Sequence, residues 1–157
     1  WGDHGWNLGE HGLWCKHCNF ETSLHSPMII STPWHKGGQN TEALTEFVDI
    51  YPSLIEICRL PRPDHLEGKS FMPLLENPDQ KWKKAVFSRY KEGDSIKTDR
   101  YRYTEWTNGD GEVYARMLYD HQNDLMENIN IADLPENQAL VAKLQTMLQI
   151  GYRGLPD

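Results

Sequence analysis

Four short segments in the second half of the chain are rich in aromatic and β-branched residues and are separated by turn sequences. They span residues 85–90, 95–98, 101–106 and 113–119. The turn before the last of them reads Asn108-Gly109-Asp110-Gly111. This is a strong hairpin signal, because Asn and Gly adopt consecutive positive φ angles at the lowest cost. The pattern predicts an antiparallel meander of four strands.

A helix is predicted after the meander, from about residue 134 to residue 150. Apolar residues recur on one stripe of this segment, at Leu140, Leu144, Met147 and Leu148. Asp133 and Glu136 have the spacing of a capping box, and Gly151 follows the expected C-terminal end. We expect this helix to cover one face of the meander.

The first 60 residues carry a different pattern. Residues 20–25 predict a turn or a short helix. The apolar run 27–32, bounded by prolines, predicts a buried strand in a sheet that is covered on both faces. A longer helix follows, with Asp49 as a candidate cap that leaves Pro52 in the first turn. Its apolar stripe is formed by Phe47, Tyr51, Leu54, Ile55 and Cys58.

The predicted fold class is therefore an α/β fragment followed by an α+β unit. Residues 1–60 form the α/β part, and residues 61–83 form a proline-rich connector with a brief apolar stretch. Residues 84–157 form a small antiparallel sheet packed on a C-terminal helix. With 157 residues the chain has the size of one domain and is long enough to bury a core.

The charge of the chain limits its partners. Sixteen basic and 23 acidic residues give a net charge of -7, and no run of Lys and Arg is long enough to follow a phosphate backbone. Nucleic acid is therefore not expected as a partner. An anionic ligand must be attracted by a local cluster or a bound cation. No apolar stretch approaches the roughly 20 residues of a membrane span.

The segment from Asp3 to Lys16 has the composition of a binding site. Its three glycines disfavour a helix and let the backbone approach a ligand closely. Adjacent Asp3 and His4 offer an oxygen and a nitrogen to the same divalent cation, and Lys16 can return to place positive charge beside a bound anion. Alternatively, Asp3 forms a turn, His4 lies on the surface and Lys16 is a solvated charge.

The same region contains further candidates. Trp6 and His11 are candidates for contact with a substrate, with packing in a core or a turn as the alternative, and Arg62 is a third candidate. Cys15 and Cys18 are the one patterned cysteine pair. Zinc or redox chemistry is one interpretation of this pair. Ordinary thiols are the other, because neither a second ligand pair nor a βαβ unit accompanies it.

The opening segment resembles the sulfatase family of the alkaline-phosphatase-like superfamily, most closely its iduronate-2-sulfatase-like branch. The most specific similarity lies in Asp3–Lys16, with Asn19–Glu21 and Pro27–Ile30. Weaker similarity continues through residues 47–54, 101–103, 118–120 and 127–128.

This resemblance implies that Asp3 and His4 belong to a calcium site. It also implies that Lys16 is a catalytic residue that contacts the sulfate group. The implied fold is the end of a large α/β domain, residues 1–60, followed by a smaller C-terminal domain of antiparallel sheet and helix. The implied activity is hydrolysis of sulfate esters on a small molecule or a glycan.

The sequence also departs from the family pattern. Sulfatases use a formylglycine made from Cys or Ser in a Cys/Ser-x-Pro/Ala-x-Arg motif. Neither this motif nor the early pair of metal-binding aspartates occurs here. The chain therefore resembles the C-terminal part of a sulfatase, and its abrupt start at Trp1 fits the expectation of a missing N-terminal part. Alone, it is expected to be inactive.

Two alternative functions remain open. Phosphodiester and phosphonate monoester hydrolases share the superfamily and a similar Asp-His-Gly segment, and a stand-alone binding module with a relic motif is the non-enzymatic alternative. The compartment is not determined by the sequence. Periplasmic, secreted or lysosome-like export is suspected from the resemblance alone.

Overall fold

The structure is a computed structural model that describes residues 1–151, 154 and 155. The chain divides into two compact units. The first unit joins Trp1–Ile29 to the chain from Phe87 onward, and the second is Ile30–Val86. These units differ from the predicted segments 1–60, 61–83 and 84–157. That division refers to the domains of a whole family fold, and it stays a prediction.

Within the described residues, the elements follow one another as short N-terminal pieces, two helices, a sheet and a final helix. In chain order they are β1 (Asn7–Leu8), β2 (Trp14–Cys15), α1 (Glu21–Leu24), α2 (Ile50–Ile57), α3 (Met72–Glu76), β3 (Ala85–Tyr90), β4 (Gly93–Thr98), β5 (Tyr101–Thr107), β6 (Val113–Asp120) and α4 (Gln138–Ile150).

Strands β3 to β6 form one antiparallel sheet in sequence order, which confirms the predicted meander. Ile96, Tyr103 and Leu118 face one another across β4, β5 and β6, and all three are fully buried. Helix α4 packs on β4 and β5 and buries Leu144. Because side chains alternate along a strand, Arg102 of β5 points to the opposite face of the sheet from Tyr103.

The final helix is confirmed, but its start was predicted too early. A 3-10 turn, Pro135–Asn137, precedes α4. The chain enters this turn through Leu134 without any side-chain capping bond, so the predicted box of Asp133 and Glu136 is not formed. Gly151 ends the helix with a φ of 68°, as its position predicted.

The hairpin between β5 and β6 is confirmed, although its turn is wider than a two-residue loop. The amide of Asn108 donates to the carbonyl of Glu112, and Gly111 donates to the carbonyl of Asn108. Of the four turn residues, only Gly111 has a positive φ, at 82°. The prediction of consecutive positive φ angles was therefore wrong, because the side chain of Asn108 instead accepts from the amides of Asp110 and Glu112.

The predicted buried strand at 27–32 was wrong. This run forms no regular element, and Ile29 is 89% exposed. A strand needs a neighbour for its backbone groups, and the two sheets found among the described residues do not include this segment. Its apolar character therefore does not produce burial here.

The second unit contains the predicted helix, as α2, and most of the predicted apolar stripe is exposed. Ile55 is buried, whereas Phe47, Tyr51 and Leu54 are each about half exposed and Cys58 is exposed. Helix α3 lies in the segment that was predicted to be an extended connector. The proline content suggested irregular chain, but Pro73 lies in the first turn of this helix, where proline is tolerated.

Asp49 was predicted to cap α2, and it does occupy the N-terminal cap position. Its buried carboxylate does not bond the helix itself. It accepts the amides of Glu46 and Lys69 and the ammonium of Lys83, and thus ties the loops of this unit together. None of the described helices is long and apolar enough to cross a bilayer.

Candidate metal and substrate site

The segment predicted to form the site folds as a short hairpin. Asn7 pairs with Cys15, and Leu8 pairs with Trp14. Asp3 and His4 precede β1 and Lys16 follows β2, so all three belong to the open end of the hairpin. His11 lies in the loop at its closed end, with a φ of 55°.

The Asp3–His4 pair has a geometry that fits a cation. Oδ2 of Asp3 lies 3.3 Å from Nε2 of His4, and Nδ1 of His4 lies 2.7 Å from the carbonyl of Gly5. If Nδ1 carries the proton and donates it to this carbonyl, Nε2 keeps its lone pair beside the carboxylate, the arrangement common in metal-ligating histidines. Two ligands are too few for a complete site.

Lys16 offers a positive charge that no side chain among the described residues neutralises. Its side chain is partly buried, and in the part of the chain that the structure describes its ammonium has no hydrogen-bond or ion-pair partner. The carbonyl of Lys16, in contrast, accepts a hydrogen bond from the Ser23 hydroxyl. The backbone is therefore held while the ammonium remains available to an anion.

The three weaker candidates have different surroundings. The ring of His11 stacks on Phe20, with centroids 3.8 Å apart and planes 6° apart, and its buried Nε2 has no hydrogen-bond partner among the residues described. Trp6 is 52% exposed. The guanidinium of Arg62, in the second unit, donates to the carbonyls of Leu66 and Gly68. Substrate contact by any of the three stays a prediction.

The cysteine pair shows no metal-binding arrangement. All three cysteines are free, and the Sγ of Cys18 donates to Oγ of Ser23 at 3.1 Å. The His, Cys, Asp and Glu side chains found close enough to share an ion, among the residues described, do not include Cys15 or Cys18. The structure thus gives no support to the zinc interpretation of this pair.

A buried ion cluster, which sequence reasoning missed, lies on the face of the sheet opposite α4. We define it as Glu21, Lys97, Arg102, His121 and Glu127. Arg102 contacts Glu21 through one guanidinium nitrogen and Oε1 of Glu127 through another, the latter at 2.8 Å. Lys97 donates to Glu21 at 2.9 Å. The cluster therefore ties α1, which follows the site segment, to β4, β5 and the turn after β6.

The cluster is neutral when His121 is neutral, since two carboxylates face two permanent cations. Nδ1 of His121 lies 2.9 Å from the ammonium of Lys97, which can only donate. Nδ1 therefore accepts, and the proton on Nε2 is donated to Glu127 at 2.7 Å. Ligand atoms of Glu21, His121 and Glu127 lie within 4.8 Å of one another. A metal would have to displace the two cations, so we assign this group a structural role.

The charges of this cluster change the pKa of Glu21. Burial raises the pKa of this carboxyl, but the charge of Arg102 and the hydrogen bond from Lys97 outweigh burial and lower it from 4.5 to about 2. Folding therefore favours the ionised form of the Glu21 carboxyl.

Acid is expected to weaken this contribution to stability. Because the folded pKa of Glu21 lies below its unfolded value, the stabilisation is complete above about pH 5 and is lost as the pH falls from 4.5 toward 2. Urea unfolding of the chain between pH 6 and pH 2.5 measures this slope. Glu21→Gln should make the slope shallower, and an unchanged slope would contradict the assignment.

Comparisons with known proteins agree with the fold. A family model described as N-sulphoglucosamine sulphohydrolase, C-terminal, matches residues 9–152. A sulfatase of Formosa agariphila is 30% identical over 149 residues, which cover 94% of this chain and 28% of that protein. Iduronate 2-sulfatase of Mus musculus is 23% identical, over 91% of this chain and 39% of that protein. The chain thus spans about a third of the length of these curated relatives.

Solved structures match over nearly the whole chain. One, described as a complex with its substrate D-glucosamine-2-N,6-O-disulfate, has a TM-score of 0.85 and 27% identity, covering 97% of this chain and 33% of that one. The phosphonate monoester hydrolase of Agrobacterium radiobacter has a TM-score of 0.81 and 25% identity, covering 98% and 34%. Because the family model matches most of its length, the chain belongs to the sulfatase family and corresponds to the C-terminal part of these proteins.

Proposed function

We propose that this chain is the C-terminal part of a sulfuric ester hydrolase and carries part of its metal and sulfate site. The observation that supports the proposal is the hairpin, because Asp3 and His4 precede its first strand and Lys16 follows its second. A bound cation and the Lys16 ammonium at this end of the hairpin would together form a site for an oxyanion. Membership in the sulfatase family supports this combination.

The sulfatase family implies a divalent metal, and we propose that the metal is Ca²⁺. The carboxylate of Asp3 is a hard oxygen ligand, and Nε2 of His4 lies beside it. When bound, the metal supplies positive charge that polarises the oxygens of the sulfuryl group. The remaining ligands must come from residues outside this chain, because calcium takes 6 to 8 oxygen ligands.

Lys16 is the proposed catalytic residue of this chain. Its ammonium would hold a sulfuryl oxygen and stabilise the negative charge that develops as the ester bond breaks. Partial burial makes this interaction stronger than it would be in water. The nucleophile is not supplied here, because the formylglycine motif does not occur in the sequence. The remainder of the protein is needed for turnover.

The proposed substrate is a sulfated small molecule or a sulfated glycan. Trp6 is half exposed, and its ring lies 6.0 Å from the ring of His4. An exposed aromatic ring beside the metal pair offers an apolar face to a sugar ring. The neighbour that was solved with D-glucosamine-2-N,6-O-disulfate supports a sulfated amino sugar as the first substrate to test.

The missing N-terminal part of the same protein is the proposed partner. The chain covers 33% of the substrate-bound neighbour. Phe47, in the 3-10 turn just before α2, and Tyr51 and Leu54 of α2 are each about half exposed. Three large apolar side chains at helical spacing on one exposed face are typical of a buried interface. We propose that the preceding part of the protein covers them.

Phosphonate or phosphodiester hydrolysis is the second candidate function. It is favoured by the TM-score of 0.81 to the phosphonate monoester hydrolase of Agrobacterium radiobacter. Turnover of the full-length protein with aryl sulfates, phosphonate monoesters and phosphodiesters distinguishes the two activities. No turnover with any of them, in protein that binds sulfate, would favour the binding module.

Replacing Lys16 by alanine tests the proposed sulfatase role directly. In the full-length protein, we expect Lys16→Ala to lower kcat/KM for an aryl sulfate by about 10²- to 10³-fold, because a charge that stabilises the transition state is removed. Lys143→Ala, at an exposed position of α4, is the matched control and should leave kcat/KM unchanged. Wild-type activity of the Lys16 variant would refute the role.

A further inference from the structure

Asn7 of β1 is an amide side chain in an unusual position, buried to 1% exposure within the hairpin. Its Nδ2 donates to the carbonyl of Cys15 at 2.9 Å and to Oγ of Ser23 at 3.1 Å. Its Oδ1 accepts from the Thr22 hydroxyl at 2.6 Å. Both ends of the amide are therefore satisfied, and the hydrogen-bond network fixes its orientation.

These bonds act on the backbone at both sides of Lys16. Asn7 holds the carbonyl of Cys15, which belongs to the peptide before Lys16. Ser23, which accepts from Asn7, donates its own proton to the carbonyl of Lys16. With both flanking carbonyls held, the direction in which the Lys16 side chain leaves the backbone is set.

The turn that is held in this way is strained. Cys15 has a φ of 70°, a left-handed conformation that residues with a Cβ adopt at an energetic cost and keep only when their surroundings hold them there. Relaxation of this φ would rotate the Cys15–Lys16 peptide and move the Lys16 side chain with it. The buried amide of Asn7 prevents this by binding the carbonyl of Cys15.

We propose that Asn7 is a positioning residue that aims the Lys16 ammonium at the bound sulfate. The proposal rests on the proposed function of Lys16. It adds a residue that does not itself contact the substrate and acts only by orienting Lys16. Asn7 supplies two donors that no hydrophobic residue of similar size replaces. A displacement of about 1 Å in a catalytic group is enough to lower the rate about 100-fold.

A double-mutant cycle in the full-length protein tests this relation. Asn7→Ala is made in the wild-type and Lys16→Ala backgrounds, and both kcat/KM for an aryl sulfate and the dissociation constant of inorganic sulfate are measured. Sulfate binding stays measurable where turnover is slow. We expect Asn7→Ala to lower kcat/KM and to weaken sulfate binding by about 10- to 100-fold when Lys16 is present, and by less than about 3-fold when it is absent.

Two further variants keep the test independent of folding. Thr22→Val removes the bond to Oδ1 of the same amide but leaves both donors in place, and should therefore lower kcat/KM less than Asn7→Ala does. Ser23→Ala removes the bond to the Lys16 carbonyl and takes the place of Asn7→Ala if that variant unfolds. Thermal midpoints identify variants that are merely unstable.

Equal losses with and without Lys16 would overturn the inference, because Asn7 would then serve general stability alone. Wild-type kinetics of Asn7→Ala would overturn it as well. Failure of the proposed function has a different signature, since Lys16→Ala by itself would then retain sulfate binding and turnover. A strong Lys16 effect without any Asn7 effect preserves the proposed function and rejects the positioning role.

Discussion

Arg102→Met is expected to destabilise the folded chain by about 3–5 kcal/mol, the usual result of removing one partner of a buried ion pair. The Arg102 side chain is 3% exposed, and its guanidinium contacts Glu21 and Glu127, whose side chains are 12% and 1% exposed. Without it, Lys97 is the one permanent cation left in the cluster beside the carboxylates of Glu21 and Glu127. The expected loss of stability reflects this unpaired buried charge rather than the strength of a single hydrogen bond.

Unfolding in urea, followed by fluorescence at neutral pH, measures the effect. Arg100→Met is the matched control, because Arg100 also binds a carboxylate, that of Asp120, through two nitrogens at 2.7 and 2.6 Å. Its side chain is 46% exposed, so its loss should change stability little. A similar midpoint for the two variants would show that the cluster does not hold the sheet and α1 together.

Gly5→Ala is expected to disrupt the site segment and to lower stability by about 3 kcal/mol, at the upper end of the usual range for overpacking. A Cβ on Gly5 would overlap the backbone carbonyl of Thr22 and would lie 3.3 Å from Cα of Ser23. The amide of Gly5 also donates to the carbonyl of Ser23 at 2.8 Å. Backbone cannot yield as a flexible side chain can, so β1 and α1 must separate.

The separation should also affect Lys16, because the hydroxyl that binds its carbonyl comes from Ser23 of α1. We therefore expect Gly5→Ala to lose sulfate binding in the full-length protein together with stability. Gly109→Ala is the control, since a Cβ there meets no atom of the described residues within 4 Å and φ is not positive. It should stay within about 0.5 kcal/mol of the original chain. Equal stability and equal sulfate binding of the two alanine variants would contradict the close contact between Gly5 and the Thr22 carbonyl.

Local features of the sequence predicted the sheet and both longer helices. The hairpin turn at 108–111, the strand segments and the glycine after α4 each act within a few residues of the chain. Periodicity and turn chemistry are readable at this range. The family and the candidate residues Asp3, His4 and Lys16 could be predicted for the same reason, because the motif that carries them lies in one short segment.

Burial was predicted less well than element type. Residues 27–32 and the α2 stripe at Phe47, Tyr51 and Leu54 have the pattern of buried elements, yet they are largely exposed. An apolar pattern shows that a surface favours a partner, but it does not say whether that partner lies within the same chain. For these two segments, the described residues do not supply such a partner surface.

The sequence by itself determined the family, the meander and the residues proposed for the metal and the sulfate. Only the tertiary structure revealed the buried amide of Asn7 and the ion cluster around Arg102. The cluster joins Glu21 to partners 76, 81 and 106 positions away along the chain. Charged residues carry no periodic signal of such distant pairing, so the contact becomes visible only when the sheet brings these side chains together out of water.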